Sequence, residues 1–169
     1  MPIVRTLLVV ACCLAMSFPA LAQSSSQRLF RINSMLSSGF AALEEVRWSA
    51  PSNDHLAPID RANAFAAQAE ASLSVDLKNA PAYGSVAERL VELKSKVESA
   101  RQVSQCHRER DAARVALAAK DVSTAKATHE KLVGLLLRLT TSKAFAAVRA
   151  QLEVESKAIG AEIVEQDWT

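Results

Sequence analysis

Glycine and aromatic residues are scarce in this 169-residue chain: there are four glycines, and Phe, Trp and Tyr together make up 5%. Sandwiches and barrels draw on both, so the composition points away from them and toward close-packed helices. Proline is confined. Apart from Pro2 and Pro19 it occurs only as Pro51, Pro58 and Pro81, which predicts two loops, 49–58 and 78–84, with helix elsewhere. Neither sign of charge dominates, with Lys and Arg at 20 against 18 Asp and Glu. Nucleic-acid and anionic-membrane binders show a basic excess or stripe, and this chain has neither. The sequence also lacks a glycine-rich phosphate loop, a G-x-S-x-G elbow, a C-x-x-C pair and an H-x-x-E-H pair, so no metal or nucleotide motif is present. None of Asn33, Asn53, Asn63 or Asn79 begins an N-x-S/T sequon, which suits a bacterial envelope better than a glycosylated surface.

What is present begins at the N-terminus. A single Arg5 precedes the apolar run from Thr6 to Phe18, and Ala20-Leu21-Ala22 follows. This is the pattern of a cleaved secretory signal, residues 1–22, and the run is shorter than the roughly 20 residues a bilayer span needs. The expected product is a single domain over residues 23–169, periplasmic or secreted and not membrane-spanning. Cleavage removes Arg5, Cys12 and Cys13, so Cys106 becomes the sole thiol. It cannot form an intramolecular disulfide, but it could bridge two chains into a homodimer.

Apolar residues recur at three-and-four spacing through the remainder, which predicts amphipathic helices. The first should run from about Ser26 to Trp48, with Leu29, Ile32, Leu36, Gly39, Leu43 and Val46 inward. A loop with Asn53, Asp54 and His55 exposed should follow. The second helix, from about Ile59 to Leu77, carries a narrow stripe of Ala62, Phe65, Ala66, Ala69 and Leu73. Ser85 and Glu88 have the spacing of a capping box and should open a third helix reaching Ala119. Its charged middle, His107 to Asp111, predicts a kink or a solvent-exposed stretch. Asp121 should cap a fourth helix, in which Val122, Ala125, His129, Leu132, Leu136 and Leu139 keep coiled-coil-like heptad spacing. Ser142 should cap a fifth, with Phe145, Val148, Leu152, Ile159 and Ile163 inward. The expected fold is all-α, an antiparallel up-and-down bundle of four to five helices.

Two arrangements could carry cofactor chemistry. His129 on the inner seam of the fourth helix, with Met35 on the first, could supply axial ligands to a haem in the bundle. The alternative role of each is packing, with His129 bonded to a neighbour. Val103-Ser104-Gln105-Cys106-His107 has the C-x-x-C-H spacing with valine at the first cysteine, on what reads as a charged helix surface. Cys106 and His107 point about 100° apart on a helix, so they do not form a nucleophile–base pair. No cofactor and no metal is therefore expected in the leading reading.

The order of short motifs resembles the secreted class of chorismate mutases, an exported all-helical family that converts chorismate to prephenate without a cofactor. Its Asn-x-Arg-Leu is echoed by Asn33-Ser34-Met35-Leu36, its Lys-Trp by Arg47-Trp48, and its Pro-Ile with Asp and Arg by Pro58, Ile59, Asp60 and Arg61. Its Gln-Ile-x-Ala-x-Lys-x-x-Gln is echoed by residues 96–104. The resemblance implies a cationic pocket inside the bundle, with Arg47 and Arg61 as catalytic residues. The chain departs from the family at Met35, where an arginine belongs, and at Ser104. It departs again in the fourth helix, where Leu135 and Leu136 stand instead of an arginine.

The absent catalytic constellations and the well-formed amphipathic faces favour a non-enzymatic binding or interaction protein of the cell envelope. Its partner would be a protein or a small ligand. An isomerase and a haem-binding bundle are the alternatives.

Overall fold

The computed structural model describes residues 24–139 and 145–168. The expected signal segment and Ser142 lie outside the described residues. Within them the chain forms five α-helices, two 3-10 turns and no strand.

Helix α1 spans Ser25–Glu44. Ser24 caps it: its Oγ accepts from the Gln27 amide and the Gln27 side chain accepts from the Ser24 amide, both at 3.2 Å. Leu29, Ile32, Leu36, Gly39 and Ala42 form its buried face. The helix stops at Glu44 rather than Trp48. The Trp48 ring packs against His55 farther along the same connection, His107 of the third helix and Phe145 ahead of the last, and the chain leaves the helix axis before it. A 3-10 turn, Ser52–His55, leads into α2, Leu56–Ser72, and Val75–Leu77 forms a second. Helix α2 thus begins and ends earlier than expected. Its inner stripe of Ile59, Ala62, Ala66 and Ala69 is fully buried, with Phe65 half-buried beside it. Small side chains there let α1 approach closely.

Helix α3 spans Tyr83–Ala118 without interruption, a length of about 54 Å at 1.5 Å per residue. The Ser85 capping box is not formed. Ser85 lies inside the first turn and its Oγ donates to the Ala82 carbonyl at 3.0 Å. The end of α3 is a Schellman turn. The Lys120 amide donates to Leu117 and the Asp121 amide to Ala116, both at 2.9 Å, with Lys120 at φ 57°. Asp121 then caps α4, Val122–Arg138, as expected, accepting from the Thr124 amide at 3.0 Å. Helix α5 spans Ala146–Asp167 and buries Leu152, Ser156, Ile159 and Ile163.

Side-chain pairs give the helix directions. Arg61 bonds Glu45 and Arg28 bonds Ser74, so α1 and α2 are antiparallel. Lys94 meets Glu70 and Arg101 meets Asp60, so α2 and α3 are antiparallel as well. The C-terminal half of α3 pairs with α4 and α5, and Arg110 reaches Glu155 of α5. Two helical hairpins therefore lie along opposite ends of one long helix, and their buried residues form one continuous cluster.

The burial pattern of α3 records this. Val86, Leu90, Leu93, Val97 and Ala100 follow a single stripe, but Val103, Ser104, Cys106 and His107 are all buried. One stripe serves one neighbouring layer; at 103–107 the helix is wrapped from more than one side. The charged stretch at 107–111 is accordingly neither kinked nor fully solvent-exposed: it is where the two hairpins meet.

Candidate functional site

His55, expected in an exposed loop, is the first residue of this junction. Its residue is 0% exposed, and His107 is 1% exposed. Their ring centroids lie 4.9 Å apart with planes at 83°. Trp48 stands 5.0 Å from His55, stacks on His107 at 5.8 Å and 22°, and meets Phe145 edge-on at 5.6 Å. Four rings from three segments of chain thus interlock: the connection between α1 and α2, the middle of α3, and the residue that precedes α5.

The polar atoms in this junction are poorly served. His55 Nε2 lies 3.1 Å from the Arg47 carbonyl and 3.2 Å from the Ala50 carbonyl. Carbonyls only accept, so Nε2 carries the hydrogen and Nδ1 is a bare acceptor. That Nδ1, both nitrogens of His107 and the Ser104 Oγ are buried without a hydrogen-bond partner. Each such atom costs roughly 1–3 kcal/mol. Burial, with the positive charge of the Arg110 guanidinium acting in the same direction, opposes protonation of both rings. It lowers the pKa of His55. Burial first, then the positive charge of Arg110 and the neighbouring His55, push His107 down to about 4.

An ion network borders the rings. Arg110, with a side chain 11% exposed, donates from Nε and Nη2 to Asp111 Oδ1 at 2.8 and 2.6 Å and from Nη1 to Glu155 Oε2 at 3.0 Å. Asp111 Oδ2 accepts from the Ser52 amide at 3.3 Å, which ties the 3-10 turn to α3. Burial would raise both carboxyl pKa values, but Arg110 and Ser52 hold Asp111 below its usual range. Gln151, Arg110 and Arg114 do the same for Glu155.

Cys106 faces another side of α3 and is fully buried. Burial pushes its thiol up to about 11.

The remaining expected residues are dispersed. Arg47 and Arg61 are both exposed and Arg61 is paired with Glu45, so the structure does not gather them into an interior cationic pocket. Met35 is half-buried on α1, which packs on α2 and α3; His129 is on α4, which packs on α3 and α5. The His129 ring donates from Nε2 to the Ser156 carbonyl at 2.9 Å and lies over Gly160. It is thus bonded within its own hairpin and does not face Met35. Among the described residues, no group of three or more His, Cys, Asp or Glu side chains could hold a metal ion, and no helix is long and apolar enough to cross a membrane.

A surface groove of about 560 Å³ runs between α3 and α4, lined by Gln105, Glu109, Ala127, Glu130, Lys131, Gly134, Leu135 and Arg138. Its lining combines small or apolar residues with side chains of both charge signs. Elsewhere on α4, Leu137 is 82% exposed and Val133 38%. Gly134 is the telling residue. It sits inside α4 with an ordinary negative φ, and a Cβ built on it would meet nothing within 4 Å. Glycine in a helix interior costs about 1 kcal/mol relative to alanine, and nothing in the fold requires it here.

No protein-family model matches this chain, and neither a curated protein nor a solved structure matches it.

Proposed function

We propose that this is an exported, non-enzymatic binding protein that receives an amphipathic helix of a partner protein in the groove between α3 and α4. The observation that carries the reading is Gly134, a helix-interior glycine that lines the groove and whose absent Cβ would meet no neighbour in the fold. Helix-in-groove recognition needs this combination of a shallow trough, apolar anchors and a polar rim. Ala127 and Leu135 supply apolar surface, while Glu109, Glu130, Lys131 and Arg138 can pair with charges of either sign on the incoming helix.

The test is selection of a displayed library of amphipathic helices against the protein lacking residues 1–22, followed by comparison with Gly134→Trp. Enriched helices should bind the native protein and lose at least tenfold in affinity for the variant, while circular dichroism shows the variant folded. Failure to enrich any helix, or equal binding to both proteins, overturns the reading. Loss of chorismate absorbance with the purified protein, abolished by Arg61→Ala, would replace it with the isomerase reading.

A further inference from the structure

The junction of rings has no part in the groove, yet it is the most unusual chemistry in the molecule. A ring that takes up a proton there finds no free hydrogen-bond acceptor for the new N–H. The groups facing the two imidazoles are the Arg47 and Ala50 carbonyls from the α1–α2 connection, Arg110 and Asp111 from α3, and Glu155 from α5. The carbonyls are already taken by His55 Nε2–H. Asp111 and Glu155 are already engaged by Arg110, whose own positive charge opposes another. A second N–H on either ring would be a buried, unpaired donor, and two imidazolium rings at 4.9 Å would repel. Stacking on Trp48 offsets only part of that cost.

The contacts that would yield are also defined. Trp48 and His55 hold the α1–α2 connection onto α3, and Phe145 holds the start of α5. All three contacts pass through the same rings. The hairpins themselves rest on separate apolar stripes along α3, which contain no titratable group at Leu90, Leu93 and Val97 or at Ala113, Ala116 and Leu117.

We propose that the His55–His107 pair is an acid-sensitive latch: when the rings take up a proton, the segment around Trp48–His55 and the start of α5 release from α3 while the helices persist. Histidine clusters act as switches in this way because neutral and charged rings favour different packings.

The experiment follows Trp48 emission in Trp168→Phe, which leaves Trp48 as the only tryptophan of the chain without residues 1–22. Acidification from above pH 6.5 to about 4 should give a reversible Trp48 transition with far-ultraviolet helicity retained. His107→Phe, which keeps a ring but cannot take a proton, should move the midpoint down by at least one pH unit. A flat Trp48 signal over that interval, simultaneous loss of all helicity, or an unmoved midpoint in a folded His107→Phe overturns the proposal. Should that variant fail to fold, nuclear magnetic resonance of the ring protons in the unsubstituted protein decides. The His55 and His107 signals must titrate together with Trp48, and their titration without any change at Trp48 overturns the latch.

Discussion

His107 stacks on Trp48 at 5.8 Å and touches His55 at 4.9 Å, yet neither of its ring nitrogens has a hydrogen-bond partner. A buried ring with its pKa lowered binds fewer protons folded than unfolded. The stability it contributes is therefore complete above pH 6.5 and is lost as pH falls toward the folded value of about 4. For His107 alone that loss is about 3 kcal/mol, and His55 adds to it in the same direction. Urea unfolding at a series of pH values should show the midpoint falling through this interval. In His107→Phe the slope should flatten.

Arg110 should matter through both of its roles. Arg110→Gln leaves Asp111 and Glu155 without their shared cation, and the pair is partly rather than fully buried. The expected loss is about 2 kcal/mol at neutral pH, below the 3–5 typical of breaking a deeply buried pair. Removing the charge should also raise the pKa of His107, because Arg110 is one of the groups that lowers it. Denaturation measures the first effect, and ring-proton titration the second.

Cys106 should be inert while the protein is folded. Its thiol is buried and pushed up to about 11, so almost no thiolate exists at neutral pH. A thiol reagent should label it only in denaturant, and oxidation of the folded protein should yield no covalent dimer on a non-reducing gel.

Two glycines should respond in opposite ways. A Cβ at Gly39 would lie 2.5 Å from Leu93 Cδ2 and 3.3 Å from Cδ1, and Leu93 is fully buried, so its side chain must shift within the core. Gly39→Ala should cost about 1–2 kcal/mol after its gain in helix propensity. Gly134→Ala meets no neighbour and should stabilise by about 1 kcal/mol, raising Tm by about 3 °C. Thermal unfolding of both variants checks the pair.

The helices were legible from local patterns because their causes are local. Pro51 and Pro81 mark the two connections, whereas Pro58, expected to close a loop, falls in the first turn of α2; Asp121 caps α4, and Ala125, Leu132, Leu136 and Leu139 of its expected seam are buried. The junction was not legible, because periodicity treats a helix as having one buried face. On α3 at 103–107 two layers converge, so Cys106 and His107 are both enclosed although they point apart. His55 departs from its expected exposure for a related reason. Asn53 and Asp54 are exposed as their polarity suggests, but the turn that contains them folds His55 under Trp48. The groove had one sequence signal, a glycine within an otherwise good helix, and it acquires meaning only once its surroundings are seen to be empty.

The central claim is that α3 and α4 form a receptor for a helix, and mapping a selected helical ligand onto the amide resonances of the protein tests it most directly. The account predicts that the shifted amides cluster at Gln105, Glu109, Ala127, Glu130, Lys131, Gly134, Leu135 and Arg138. Shifts concentrated instead around the exposed Phe30 on α1, with the α3–α4 groove silent, would contradict it.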